Sequence, residues 1–217
     1  GDRAVVSDQN DNVIRIWDLR TGRIASTFKL RYDHAFTKRI GLTPDGRHMI
    51  IGGGHSSAAG TLFKALPGEI WDLQTGQLLH ELKAPSGTKI EHFSISPDGR
   101  TLAARATGGT TGGYVRELFL LSLPDPRTAR TLERGSDVTG VVSGLVWSPD
   151  GRTVFEARTD PGEKTARAWI IPYDVASGRP RRGFDLEPGH FSRGGNDFYP
   201  LPDGSRILTG SKYGIDP

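Results

Sequence analysis

The sequence contains no cysteine, so disulfides, thiolate nucleophiles and zinc–thiolate sites are excluded. No apolar run approaches the ~20 residues that a helical membrane span requires, and a membrane role is not expected. No stretch of useful length carries the apolar period of an amphipathic helix. Neither sign of charge dominates. The chain has 28 Lys and Arg against 25 Asp and Glu, a formal net charge of +3. So small and scattered an excess does not argue for a nucleic-acid partner. These absences leave the compartment open, with cytoplasmic placement as the working expectation. The chain starts in mid-pattern at Gly1-Asp2, so its natural N-terminus is expected to lie elsewhere.

What the chain has in quantity is turn formers, 29 Gly and 14 Pro in 217 residues, and they are ordered. Thr43-Pro44-Asp45-Gly46, Ser96-Pro97-Asp98-Gly99, Ser148-Pro149-Asp150-Gly151 and Leu201-Pro202-Asp203-Gly204 place their prolines 53, 52 and 53 residues apart. Proline presets φ for the first corner of a turn, Asp tolerates the second, and Gly accepts the positive φ that closes it. Apolar alternation flanks each turn, as in Phe93-Ser94-Ile95 and Thr101-Leu102-Ala103, which reads as strand, tight turn, strand. A second turn recurs as Asp18-Leu19-Arg20-Thr21-Gly22, Asp72-Leu73-Gln74-Thr75-Gly76 and Asp174-Val175-Ala176-Ser177-Gly178. Its counterpart Leu123-Pro124-Asp125-Pro126-Arg127 is degenerate.

A period held this closely is the mark of a repeat architecture. Strands are expected at 4–7, 13–17, 24–28, 40–42, 47–52, 69–73, 77–83, 90–95, 100–105, 115–123 and 130–133, then at 141–147, 152–158, 166–173, 182–186, 197–201 and 205–210. They group four to a unit, with units at 31–83, 84–134 and 135–187 and partial units at 1–30 and 188–217. The expected fold is all-β, a β-propeller of four-stranded antiparallel blades with about four blades present. It occupies 1–217 as a single domain, or as an excerpt of a seven- or eight-bladed ring. A β-sandwich with hairpins at irregular spacing is the alternative, and the steady period argues against it.

These residues resemble WD40 repeats. Trp17-Asp18 and Trp71-Asp72 end the third strand of their units, and Tyr173-Asp174 occupies the same place. The run from Ser7 to Asp18 is similar to the family stretch in which Ser, Asp and Trp join a hydrogen-bonded set; on that match the members are Ser7, Asp11 and Trp17. Gly189-His190 resembles the family's Gly-His, and Asp33-His34 is a looser version. Units of 52–53 residues exceed the usual ~40–45, and Ser96-Pro97-Asp98-Gly99-Arg100-Thr101-Leu102-Ala103 also resembles the repeats of TolB-like propellers. The resemblance implies a rigid platform for protein partners, of bacterial type.

In such a fold both short turn types share one face, and the unequal connections open on the other. These are 52–60, 107–114 and 159–164, with the inter-unit segments that carry Tyr32, His34, Lys38 and Arg39, and later His190, Phe191, Ser192 and Arg193. Loops on a rigid scaffold carry recognition, and aromatic and Arg residues dominate interfaces. The candidate partner-binding residues are therefore Tyr32, His34, Arg39, His55, Tyr114, Lys164, His190, Phe191 and Arg193. Trp17, Trp71, Trp147 and Trp169 fall at buried parity and are expected in the core between sheets.

Catalytic patterns fail on inspection. Gly54-His55-Ser56-Ser57-Ala58 lacks the last Gly of a nucleophile elbow and the helix that should follow. Gly108-Gly109-Thr110-Thr111-Gly112-Gly113 lacks the Lys of a phosphate loop. Asp8-Gln9-Asn10-Asp11-Asn12 has alternating oxygen ligands, but Val13 replaces the required Gly and no Glu stands at Leu19. The six histidines show no close pair of metal-ligand spacing. The expected function is a non-enzymatic scaffold for a protein partner, with no cofactor and no metal. A homodimer, or the remainder of the same propeller, would complete the ring. The alternative is the propeller of a hydrolase or peptidase, or a sensor module of a larger bacterial enzyme.

Overall fold

The computed structural model describes residues 2–7, 13–31, 40–52, 67–110, 113–135, 141–159, 167–186, 197–201 and 207–210. Among the described residues the backbone forms seventeen strands and no helix. These are β1 Arg3–Ser7, β2 Val13–Asp18, β3 Arg23–Lys29, β4 Ile40–Leu42, β5 His48–Ile51, β6 Gly68–Asp72, β7 Gln77–Leu82, β8 Lys89–Ile95 and β9 Thr101–Thr110. They continue with β10 Gly113–Ser122, β11 Ala129–Gly135, β12 Val141–Trp147, β13 Thr153–Thr159, β14 Ala168–Asp174, β15 Phe184–Leu186, β16 Asp197–Pro200 and β17 Ile207–Gly210. Sheet order follows chain order. One three-stranded sheet (β1–β3) is followed by three four-stranded sheets (β4–β7, β8–β11, β12–β15) and a two-stranded one (β16–β17). Every pairing given by register is antiparallel, so each sheet is a meander.

The turns explain why the sheets recur. In the first Pro-Asp-Gly turn the Gly46 N–H bonds to the Thr43 carbonyl at 2.8 Å. The Asp45 carboxylate accepts from the Thr43 hydroxyl at 2.6 Å and from the Arg47 N–H at 2.9 Å. The hydroxyl in turn accepts the His48 N–H at 2.9 Å. Ser96, Asp98, Arg100 and Thr101 repeat the set at 2.6, 3.0 and 2.9 Å, and Ser148, Asp150, Arg152 and Thr153 repeat it again at 2.6, 3.0 and 2.9 Å. Gly46, Gly99 and Gly151 have φ of 68°, 71° and 68°, the left-handed region that favours glycine. Of the fourth copy, only Leu201 is described.

The second turn is equally local. Asp18 accepts from the Arg20 and Thr21 N–H groups, Asp72 from those of Gln74 and Thr75, and Asp174 from that of Ser177. One backbone bond ties both turns of each sheet together. Leu19, Leu73, Leu123 and Val175 donate to the carbonyls of Asp2, Arg47, Arg100 and Arg152 at 2.8, 2.8, 2.8 and 2.9 Å. This places Trp17, Trp71, Leu121 and Tyr173 at one equivalent position, so the Trp-Asp pattern marks a fixed point in each sheet.

The chain divides into two compact units, Gly1–Glu91 and His92–Pro217, each described by itself. In the first unit Ile14 and Ile16, the inward alternation of β2, join Leu30, Met49, Ile51, Trp71 and Leu73 in one core. Phe28 stacks on Trp71 with centroids 5.1 Å apart, a contact worth about 0.5–1.5 kcal/mol beyond the area it buries. In the second unit Ala103, Leu118 and Leu120 of one sheet meet Leu145, Trp147, Val154 and Tyr173 of the next.

Two expectations change. Residues 107–114 are not a long loop. β9 runs to Thr110 and β10 starts at Gly113, and the strands pair from Gly113↔Thr110 through Val115↔Gly108. The β-branched Thr107, Thr110 and Val115 favour extended backbone, and the intervening glycines leave the ladder unobstructed. Nor do all four tryptophans lie in the core. Trp71 and Trp147 are buried, but Trp17 and Trp169 are only half-buried.

Candidate functional site

Because both turn types close the same end of each meander, the remaining connections leave from the other end. They span 8–12 after β1, 52–67 after β5, 111–112 after β9 and 160–167 after β13. Most of the candidate partner-binding residues belong to these connections or to the inter-sheet segments. Tyr32, His34, Arg39, His55, Lys164, His190, Phe191 and Arg193 lie outside the described residues, as does Asp11. The backbone of Tyr114 is placed on β10, opposite Gly109. Ser7 ends β1 opposite Ile14, and Trp17 stands between Ala4 and Ile24 on its two neighbouring strands.

The most concentrated chemistry of the second unit is a buried ring of charge that the sequence reading missed. Arg105 on β9 donates through Nε to Glu156 on β13 at 2.8 Å and through Nη2 to Glu133 on β11 at 2.7 Å. Arg105 Nη2 also contacts Glu156 closely. Arg158 donates through Nη2 to Glu133 at 2.8 Å and through Nε to Glu156. It also donates to the Tyr173 hydroxyl at 3.0 Å. Two guanidiniums and two carboxylates thus alternate around a closed ring, each cation touching both anions. Arg105, Glu156 and Tyr173 are fully buried.

Strand register places these groups. Arg105 and Glu133 both stand opposite Leu118, one on either side of β10, and so share a face. Glu156 and Arg158 follow Val154 at every second position of β13, the parity that faces the core. The sequence signal was therefore Val154-x-Glu156-x-Arg158, charge at inward parity, with a lone Arg105 amid Ala103, Ala104 and Ala106.

The electrostatics favour structure over proton transfer. Burial alone would raise the Glu133 carboxyl, but the Arg105 charge and hydrogen bond, with Arg158 and Tyr173, outweigh it and hold it below the usual carboxylate range. Burial and the Glu156 charge push the Tyr173 phenol up, so it stays protonated at any ordinary pH. For Arg158 burial acts downward, yet Glu156 above all keeps it charged. One donor of the ring, Arg105 Nη1, is buried without a hydrogen-bond partner among the described residues. The ring offers no proton exchange near neutrality at Glu133, whose carboxyl is held low, or at Tyr173, whose phenol is held protonated. What it does is hold two sheets in one register, and it leaves an uncompensated charge if they slip.

Other polar groups are likewise committed. A cleft of about 410 Å³ on the turn end of the second unit is lined by Ser96, Asp98, Trp147, Asp150 and Val175. Its two carboxylates are already taken up inside their own turns. The Trp147 indole donates to the Ser94 carbonyl at 2.8 Å, and that of Trp71 to Glu69 at 2.8 Å. Among the described residues no group of three or more His, Asp or Glu could hold a metal ion. Among them, too, no helix is long and apolar enough to cross a membrane.

Four-stranded antiparallel meanders repeated in series put the chain in the β-propeller class. Within that class it is similar to WD40 proteins: its curated relatives are WD-repeat proteins at low identity, and its structural neighbours are propeller-type proteins. It is 23% identical over 167 residues to the small ribosomal subunit protein RACK1y of Oryza sativa subsp. japonica, a match covering 77% of this chain and 44% of that one. It is 29% identical over 173 residues to the WD repeat-containing protein SL1-17 of Schistosoma mansoni, covering 80% and 47%. The chain thus spans less than half the length of these relatives. In structure it is similar to Kuenenia stuttgartiensis hydrazine synthase, with a TM-score of 0.68 and 21% identity over 96% of this chain and 52% of that one. No family model matches.

Proposed function

We propose that the chain acts as a non-enzymatic scaffold that binds a protein partner through the end of the sheets opposite the short turns. The observation that carries this reading is the division between the two ends. One end is closed by turns whose side chains are consumed in their own hydrogen bonds. The other end carries the connections of unequal length. Rigid sheets with one variable end suit recognition, and the WD-repeat relatives are consistent with it. The residues that would make contact are Tyr32, His34, Arg39, His55, Tyr114, Lys164, His190, Phe191 and Arg193.

The test compares partner capture by the wild type, by His190→Ala/Arg193→Ala, by Tyr32→Ala/Arg39→Ala, and by Arg100→Glu as a control on the turn end. Partners lost from the loop variants but retained by the control support the reading. Equal recovery by all four chains refutes it. A second reading, the propeller of a larger enzyme, draws on hydrazine synthase as a structural neighbour. Likeness at that identity speaks for fold alone, so this reading ranks second. It would be favoured by catalytic activity that survives the loop substitutions.

A further inference from the structure

We infer that the outer edge of the sheet β12–β15 is a second docking site, one that takes an extended acidic peptide segment as an added strand. The site lies apart from the loop end discussed above, so its failure would leave that reading untouched.

β15 is the last strand of its sheet. It pairs with β14 through Ala168↔Leu186, Trp169↔Asp185 and Ile170↔Phe184. Its other side carries no strand among the described residues. Just before it, the chain 179–181 is held against the end of β14. The Arg181 N–H donates to the Pro172 carbonyl at 2.7 Å, and the Asp174 N–H to the Arg179 carbonyl at 2.9 Å. Gly183 lets the backbone cross close by, since a Cβ there would sit 2.8 Å from the Ile170 carbonyl oxygen. A strand edge with free N–H and C=O groups is a template for another chain.

Beside this edge runs a groove of about 660 Å³ whose lining includes Trp169, Ile171, Phe184, Arg167, Arg181 and Arg182. Phe184 is 44% exposed. Arg167 lies over the Trp169 ring, 6.0 Å from its centroid. It is also held by Asp185 through bonds of 2.8, 2.9 and 3.0 Å. Arg181 pairs with Asp174. Arg182 has no acidic partner among the described residues. The three arginines of the groove and their two carboxylate partners, Asp174 and Asp185, leave one net positive charge, on Arg182. Carboxylates alternating with an apolar residue are what this surface complements. The backbone pairs with β15, an apolar side chain packs beside Phe184 on the face that Phe184 shares with Ile170, and the alternating acids reach the arginines that line the groove.

The probe is a fluorescein-labelled peptide alternating Asp with Val or Leu, measured by fluorescence anisotropy against the whole chain at 50 and 300 mM salt. Controls are the same sequence with Asn for Asp, a backbone N-methylated form, anionic phospholipid vesicles and a DNA duplex. The acidic peptide is expected to bind and to weaken at the higher salt. Arg182→Glu and Phe184→Ser should each lower its affinity at least fivefold, with melting temperatures held within a degree or two of wild type. The N-methylated peptide should bind at least fivefold more weakly. Equal binding of the Asn peptide, or indifference to both substitutions, overturns the proposal. Undiminished binding of the N-methylated form overturns strand addition. Tighter binding of vesicles or duplex, or dimerisation of the chain that Arg182→Glu abolishes, assigns the groove to another occupant and overturns it too.

Discussion

Removing Arg105 and removing Glu156 should each be severe, while removing both should be mild. Arg105→Met leaves the fully buried Glu156 with Arg158 as its only cation, and the ring then carries one net negative charge. Glu156→Leu leaves Arg105 and Arg158 sharing Glu133 alone, with one net positive charge. Breaking a buried pair from one side costs about 3–5 kcal/mol, which for a chain of this size lowers the melting temperature by roughly 6–20 °C. The double variant keeps Arg158, Glu133 and Tyr173 as a neutral, mutually bonded set, and two apolar side chains fill the vacated space. Such replacements are often neutral or stabilising. The coupling in the double-mutant cycle should therefore reach about 3 kcal/mol or more, where independent sites agree within about 0.5 kcal/mol. Urea unfolding followed through Trp147, 5% exposed in the same core, gives all four midpoints. Additive single effects would refute the claim that the ring acts as one electrostatic unit.

Two glycines should fail for different reasons. Gly151 has φ of +68° and only the Pro97 ring near a new Cβ, at 3.9 Å, so Gly151→Ala should cost about 1–2 kcal/mol of backbone strain. Gly151→Asn should recover part of that. At Gly68 a Cβ would stand 2.8 Å from the Ile51 carbonyl oxygen; Gly68→Ala should therefore cost about 1–3 kcal/mol or more through displaced strands, and no residue with a Cβ should rescue it. Thermal melts of the four chains decide both points. Stability should also fall in acid. The Asp45, Asp98 and Asp150 carboxyls are held low first by the Thr43, Ser96 and Ser148 hydroxyls. Asp174 is held at about 2, first by the Ser177 N–H, and Glu133 is held low by its arginines against the pull of burial. A carboxyl depressed on folding contributes stability above its unfolded pKa and loses it as pH falls through the folded value. The urea midpoint should stay level down to about pH 5 and drop steadily below about pH 4; a flat profile to pH 2.5 would contradict the turn assignment.

The strands were legible almost throughout, because turn chemistry is local. Pro44, Asp45 and Gly46 set their own dihedrals and satisfy their own donors, and nothing distant need agree for the turn to form. The same holds at Asp72 and Asp174, where the carboxylate reaches backbone N–H groups two or three residues on. The misreadings fall where the outcome depends on a partner strand. The glycines of 108–113 look like a loop in isolation, and only pairing with Val115 and Arg116 draws 107–110 into β9. Trp169 has the parity of a core residue, yet it is only half-buried on β14, next to the edge strand β15, and Arg167 lies over its ring. Most of the candidate binding residues lie outside the described residues, so that part of the reading stands as a proposal.

The same distinction explains why the turns repeat and the sheet interfaces do not. A turn is specified by four or five consecutive residues, so duplication of the unit copies it whole. The space between two sheets is filled jointly, and each solution must be found again by both. In the first unit the equivalent position carries Trp71, stacked on Phe28 and bonded to Glu69. In the second it carries Tyr173, whose hydroxyl closes a ring of two arginines and two glutamates. An apolar pair tolerates small slips of one sheet over the next. A charge ring does not, because a shift of one residue turns Glu156 and Arg158 to the opposite face and strands Arg105 in the core. The ring therefore specifies which sheet follows which, and in what register, a task that identical turns cannot perform.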